Sequence, residues 1–274
     1  MFQLTVNKIK RRNVNSSSVW QKSADLIKFM LVISALVWFS SRSSVQSDYN
    51  WQWGRVVQYL FVYEDGRLHS GPLVQGIGLT LQICAVSMIL AFLLGLLCAV
   101  LRLSDSKIAR FGARSYLELI RNTPLLVQIF FIYFVLGPIL DIDRFFAAVL
   151  ALSLFEGAYI SEIVRAGIVA IPQDQWEAAY SLGLNRYHTY RRIIIPQALR
   201  RILPPLVSQS VSLIKDSALV SMIAVYELTM QGQVIISKTF LTFEVWFTIA
   251  ALYLMITLTL TTLAGMLEKH LKIE

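Results

Sequence analysis

The chain has 274 residues, 56% hydrophobic and 15% charged, where a soluble domain carries about a quarter charged residues. Its apolar residues gather in runs long enough to cross a ~30 Å hydrocarbon core, which takes about 20 helical residues, so a polytopic membrane protein is expected. The net charge of +8 would suggest nucleic acid in a soluble protein; here Lys and Arg fall in alternate loops, the positive-inside pattern, and no nucleic-acid partner is expected.

Residues 1–23 are polar and basic, with Lys8, Lys10, Arg11, Arg12 and Lys22. An apolar segment follows over 24–40, broken only by Lys28. It reads as a transmembrane helix or a signal-peptide core. No small-x-small cleavage site follows, so the expectation is a retained helix with Lys28 snorkelling to the cytoplasmic interface. Residues 41–70 are polar, then aromatic. Counted from Trp53, the residues Val56, Val57, Leu60 and Phe61 recur at helical spacing. A short amphipathic helix on the outer leaflet is predicted, with Trp51, Tyr59 and Tyr63 as interface rings.

Five core spans follow, over 76–101, 116–140, 145–170, 203–226 and 245–267. Placing the basic loops inside threads them consistently. The N-terminus, 102–115 (with Arg102, Lys107, Arg110 and Arg114), 171–202 and the tail are inside, while 41–70, 141–144 and 227–243 are outside. The fold class is therefore all-α, a transmembrane bundle of five core helices plus one N-terminal helix. Residues 1–70 form the basic N-terminus, extra helix and external segment, and 71–274 form the main domain.

Cys84 and Cys98 lie in one span, about 21 Å apart along a helix, too far for a disulfide. His69, His188 and His270 have no ligand-like spacing. Neither a metal nor a cofactor is expected. No G-x-x-x-x-G-K-[ST] run occurs, so a nucleotide phosphate has no P-loop here, and no catalytic residues are assigned.

Ionisable groups within a bilayer are costly and face the bundle interior or a wet cavity. Glu156 sits midway through the third core span, either as a pathway carboxylate able to hold an ammonium group or as a packing residue. Glu162 and Arg165 are expected to pair at i, i+3, as are Glu118 and Arg121. Pro124 loosens the turn before it, and broken helices often line a cavity. Arg121 then either meets a substrate carboxylate or anchors the interface, and Gln128 is one turn further on. Gln209, Ser212 and Asp216 share a helix face. Lys215 and Asp216 either line a gate or neutralise each other. The glycines 76, 78, 95, 157, 167 and 265 read as points of close helix packing.

The longest polar interval in the second half runs from Ile171 to Pro205. Asp174 three residues before Glu177 reads as a capping box. Trp176, Ala178, Ala179 and Leu182 are then helical, and Gly183 ends the helix in the left-handed conformation. Asn185 caps a second helix, which Pro196 interrupts or kinks.

The spacing of Glu177-Ala178-Ala179, Gly183, Ile193 and Pro196 resembles the EAA loop of bacterial ABC-importer permeases. The flanks GAYISEIVRAGI, IIIPQALRRILPPL, LIKDSALVSMI and RNTPLLVQIFFIYF look like the polar amino acid branch, the histidine, glutamine, glutamate and opine group. The resemblance covers roughly 71–267. It departs at Asp174, where the branch usually has Gly, and at Ile195, where Leu is favoured. It implies a type I ABC-importer transmembrane domain in the bacterial inner membrane, with both termini cytoplasmic. Glu177, Ala178, Ala179, Gly183 and Pro196 would form the coupling loop, docked on cytoplasmic ATP-binding subunits. A second permease subunit, identical or homologous, and a periplasmic or lipid-tethered binding protein would complete the assembly. The cargo implied is a polar L-amino acid, with FEGAY favouring the glutamate or glutamine type, and ATP hydrolysis would lie on a partner. Two other readings are open from the residues alone. One is an ion-gradient transporter using Glu156, Lys215 and Asp216, and the other is a membrane scaffold that binds an ATPase without transporting.

Overall fold

The computed structural model describes Leu31, Ser34, Trp38 and residues 49–64 and 66–271. The expected N-terminal helix over 24–40, except for those three residues, and the basic segment 1–23 lie outside the described residues. The chain divides into two compact units, Met1–Trp51 and Gln52–Glu274, and everything below concerns the second.

This unit opens with a 3-10 turn (Trp53–Arg55), a single helical turn α1 (Val57–Leu60) and a hairpin of β1 (Phe61–Glu64) and β2 (Arg67–Ser70). The predicted outer helix is therefore only one turn long, and Phe61 belongs to a strand pairing with Ser70. The overlooked signal is Asp65-Gly66 between short strands, a two-residue turn pair, and Gly66 has φ of 74°.

Among the described residues, four helices are long and apolar enough to span a membrane, α2 (Pro72–Leu103), α5 (Arg144–Val169), α7 (Arg186–Ile223) and α9, described within Thr242–Met266 of a helix reaching Leu271. The remaining expected span, 116–140, is a bent pair, α3 (Lys107–Arg121) and α4 (Leu125–Leu140), turned by 104°. Most of the sequence-predicted loop 102–115 is thus helix, and α3 does not continue the span that follows it. Pro124 has no N–H to extend α3. Side chains close the break instead. Asn122 donates to the Glu118 carbonyl at 2.8 Å, and Gln128 Nε2 donates to the Ile120 and Thr123 carbonyls at 2.8 and 3.0 Å, satisfying carbonyls at the end of α3.

Prolines widen two other helices without stopping them. Pro138 and Pro196 each follow a π-helical stretch, Phe131–Leu136 and Tyr190–Ile194. A proline clashes with the carbonyl four residues back, and the i→i+5 turn gives it room. Consequently α7 starts at Arg186 and passes through Pro196, Pro204 and Pro205 uninterrupted, well before the expected start at 203.

At the centre lies α5, whose Ala147, Ala148, Ala151 and Leu152 are fully buried. Its small residues let α2 come close. A Cβ on Gly95 would fall 2.6 Å from Ile160 Cγ2, and one on Gly157 would fall 3.3 Å from the Ala91 carbonyl. Gly76 and Gly167 are similarly hemmed in, whereas Gly78 and Gly265 have nothing within 4 Å among the described residues. The interval 227–243 is also more than a loop, since it holds helix α8 (Leu228–Thr239).

Candidate functional site

The interval between α5 and α7 is the first candidate element. Helix α6 (Gln173–Ser181) starts after Pro172, which occupies the N-cap. The capping box is not formed, because Asp174 lies inside the first turn rather than before it. The other end is as the sequence indicates. Gly183 has φ of 75°, its amide donates to Tyr180 O at 2.9 Å, and that of Leu184 donates to Ala179 O at 3.2 Å. These two bonds are a Schellman closure. Two residues on, the Asn185 side chain accepts from the His188 amide at 2.9 Å and caps α7. No side chain crowds Gly183, so its glycine is required by conformation alone.

This helix–turn–helix is pinned from beneath. Ala179 is buried, Trp176 meets Tyr190 edge-on at 5.0 Å, and Gln197 donates to Gln175 at 3.0 Å. Its outer surface carries Glu177, Ala178, Tyr180 and Leu182, all exposed, Leu182 by 79%. Pro196 is exposed at the start of the regular part of α7.

A second constellation lies between α5 and α7. Glu156 is fully buried and accepts a 2.6 Å bond from Gln209 Nε2 through one carboxylate oxygen, while the other oxygen has no partner. Asp216 is half-buried and within electrostatic range of Glu156. Ser212 is half-buried on the same stretch of helix. Lys215 is exposed and forms no close ion pair with Asp216 among the described residues, although it lies within electrostatic range of that carboxylate. A buried carboxylate oxygen without a donor can accept one from a cation.

Two other expectations are redirected. Arg121 does not pair with Glu118. It lies over the Tyr159 ring at 5.7 Å, while Glu118 accepts from Asn122 at 3.0 Å. Gln128 spends its amide nitrogen on closing the bend, leaving its buried oxygen unpartnered. The role of Gln128 follows from the 104° turn, which carries α3 away from the axis of α4. Glu162 does pair with Arg165 and also with Arg102 of α2, a bond the local spacing could not reveal.

Sequence reasoning passed over two buried carboxylates. Glu227 caps α8, accepting from the Thr229 and Met230 amides at 2.9 Å each and from Tyr253 OH at 2.8 Å. Glu244 accepts from the Gln52 amide at 2.8 Å and ties the segment before α2 to α9. The available signal for Glu227 was its place directly before an apolar run, as an N-cap acceptor. Glu244 gave none.

A family model described as "Binding-protein-dependent transport system inner membrane component" matches residues 91–273. The glutamine transport system permease protein GlnP of Escherichia coli (strain K12) is 42% identical over 204 residues, covering 73% of this chain and 93% of that one. The L-cystine transport system permease protein TcyB of Bacillus subtilis (strain 168) is 42% identical over 159 residues, covering 58% and 68%. The crystal structure of an amino acid ABC transporter with histidines contains a chain 36% identical, with TM-score 0.74, covering 81% of this chain and all of that one. An inward-facing MetNI methionine ABC transporter chain shares the fold at 18% identity and TM-score 0.65, covering 73% and 96%. The expected type I ABC-importer architecture is therefore the one observed. With its helix bundle and most of its length matched, the chain belongs to the inner-membrane components of binding-protein-dependent transport systems.

Proposed function

We propose that the chain is the permease subunit of an ATP-driven importer that carries a polar amino acid, of the glutamine type, across the inner membrane. The observation that carries this is the loop between α5 and α7, a rigid helix pair with buried roots and an exposed crown of Glu177, Ala178, Tyr180 and Leu182. Apolar side chains exposed on an otherwise polar loop mark a protein contact. The partner there is a cytoplasmic ATP-binding subunit, which supplies the nucleotide chemistry that this sequence has no P-loop to perform. Both termini are on that same side, by the bias of basic loops.

Closure of the ATPase subunits pushes on α6, and α5 and α7 carry the displacement into the bundle, in the manner of alternating access. The cargo's ammonium group is received by the unpartnered oxygen of Glu156, with Gln209 holding the other oxygen and Asp216 adding negative potential. Ser212, Lys215 and Arg121 border the route, and Lys215 and Arg121 are the cations available to the carboxylate of the cargo. A second permease subunit completes the pore, and a periplasmic or tethered binding protein delivers the substrate.

The test uses the assembled transporter in sealed vesicles. Uptake of labelled glutamine is expected to need ATP and to be lost in Glu156→Gln, with the ATPase subunits still bound. Uptake driven by an ion gradient without ATP would refute the reading, as would full transport by the variant. Labelling of a cysteine at position 180 only from the external medium would place the docking loop on the wrong side.

A further inference from the structure

A groove of about 900 Å³ lies between α2 and α7. Its walls are apolar, with Leu96 and Val100 on one side and Leu199 and Leu203 on the other. Val100 is 56% exposed and Leu199 47%. From Phe92 at one end to Ser104 at the other is about 18 Å of helix rise, close to one leaflet of a ~30 Å hydrocarbon core. Only the end beyond Ser104 is polar, lined by Asp105 and Arg186. Arg186 donates to Asp105 at 3.0 Å, through an exposed pair that consumes one of five guanidinium donors and holds little energy.

Helix α3 starts at this polar end, and its surface points to the same kind of ligand. Ile108, Phe111 and Leu119 are 86%, 74% and 69% exposed, and fall within about 80° of one another around the helix. Lys107, Arg110 and Arg114 are exposed beside them, within about 60°. Ala113 and Leu117 face the protein. An exposed apolar stripe flanked by cations is the pattern of a helix lying in the membrane interface, and the 104° turn into α4 suits that posture.

The geometry points to a site for an anionic phospholipid of the cytoplasmic leaflet, with an acyl chain in the groove and the phosphate at Arg186 and Lys107. The match rests on one-leaflet depth, an apolar wall and a mouth where Arg186 and the neighbouring Lys107 outnumber the single acid Asp105, a combination that neither a soluble anion nor a zwitterionic lipid uses in full. Tyr187, Tyr190 and Ile195 also line the groove, so the lipid touches the first turns of α7 directly behind the α6 turn and braces them. This goes beyond the transport reading and does not need it, because binding is measured without ATP or substrate.

The full-length permease complex is passed from detergent into nanodiscs of phosphatidylcholine with or without phosphatidylglycerol, and tightly held lipid is counted by native mass spectrometry. Wild type is expected to retain phosphatidylglycerol over phosphatidylcholine. Val100→Trp, which fills the groove from α2, abolishes that retention, whereas Leu254→Trp on α9, equally exposed, does not. Arg186→Gln lowers phosphatidylglycerol retention by roughly fivefold and leaves phosphatidylcholine unchanged, as expected for one interfacial cation. If Val100→Trp does not assemble, the charge variant decides. Equal retention of both lipids by wild type would overturn the site, as would unchanged retention in Arg186→Gln or displacement by inorganic phosphate alone. Disulfide capture of a second permease copy by Val100→Cys would assign the groove to a protein interface instead.

Discussion

The turn after α6 and the junction around Glu227 meet the same requirement, the satisfaction of helix-end groups within a few residues, and meet it in opposite ways. The turn uses neighbours. Gly183 and Leu184 donate back within the helix they end, and Asn185 accepts from three residues ahead. Glu227 instead collects Tyr253, 26 residues away, and Thr80, 147 residues away, as well as the two amides it caps. The turn itself is exposed, above roots that are pinned to α7, as the docking role proposed for it requires. The junction is buried, and locks α2, α8 and α9 together.

The contrast is open to test by substitution, starting with the strongest effect. Glu227→Ala leaves two part-buried amides without their acceptor and removes the carboxylate that Tyr253 donates to, and at about 1–3 kcal/mol per unsatisfied group the loss should be about 3 kcal/mol. Thermal unfolding of the purified complex, followed by size-exclusion, should show it clearly, with Glu227→Gln less affected. An unchanged melting temperature would mean that the junction is not a lock.

Gly183→Val meets no neighbouring atom but forces a β-branched residue into left-handed backbone, at about 1–2 kcal/mol. Here the expected loss is in coupling rather than in folding. ATP hydrolysis should continue while uptake fails, and retained uptake at the wild-type ratio to hydrolysis would remove the turn from the coupling path. Asn185→Ala removes a cap worth about 1 kcal/mol, which amide hydrogen exchange at 186–189 would register as faster opening. The smallest effect is assigned to Asp174→Ala. As a first-turn acid it contributes only a few tenths of a kcal/mol through the helix dipole, whereas a capping box would cost about 1 kcal/mol. A loss as large as that of Asn185→Ala would restore the box.

The same distinction explains how far the sequence could be read. Gly183, Asn185 and the pairing of Glu162 with Arg165 were legible because their partners lie within a few residues. Arg102 at Glu162, Gln209 at Glu156 and Gln52 at Glu244 were not, since those contacts join residues 60, 53 and 192 positions apart. The missed hairpin at 61–70 is a different case. Its turn signal was present in Asp65-Gly66, but the spacing of Val56, Val57, Leu60 and Phe61 fits a helix over too short a window to exclude a strand.

Composition and apolar run length alone required a membrane bundle, because about 20 consecutive apolar residues have no other stable place. The backbone rules for glycine, asparagine and proline fixed where the loop between α5 and α7 turns and where its helices are capped. Only the folded chain decided that Pro124 turns α3 aside while Pro196 is absorbed into a π turn, since each outcome depends on the backbone geometry in which neighbours such as Asn122 and Gln128 can reach the freed carbonyls. It also decided that Glu156 keeps one oxygen open, because burial and partner count belong to a packed interior and not to any stretch of sequence.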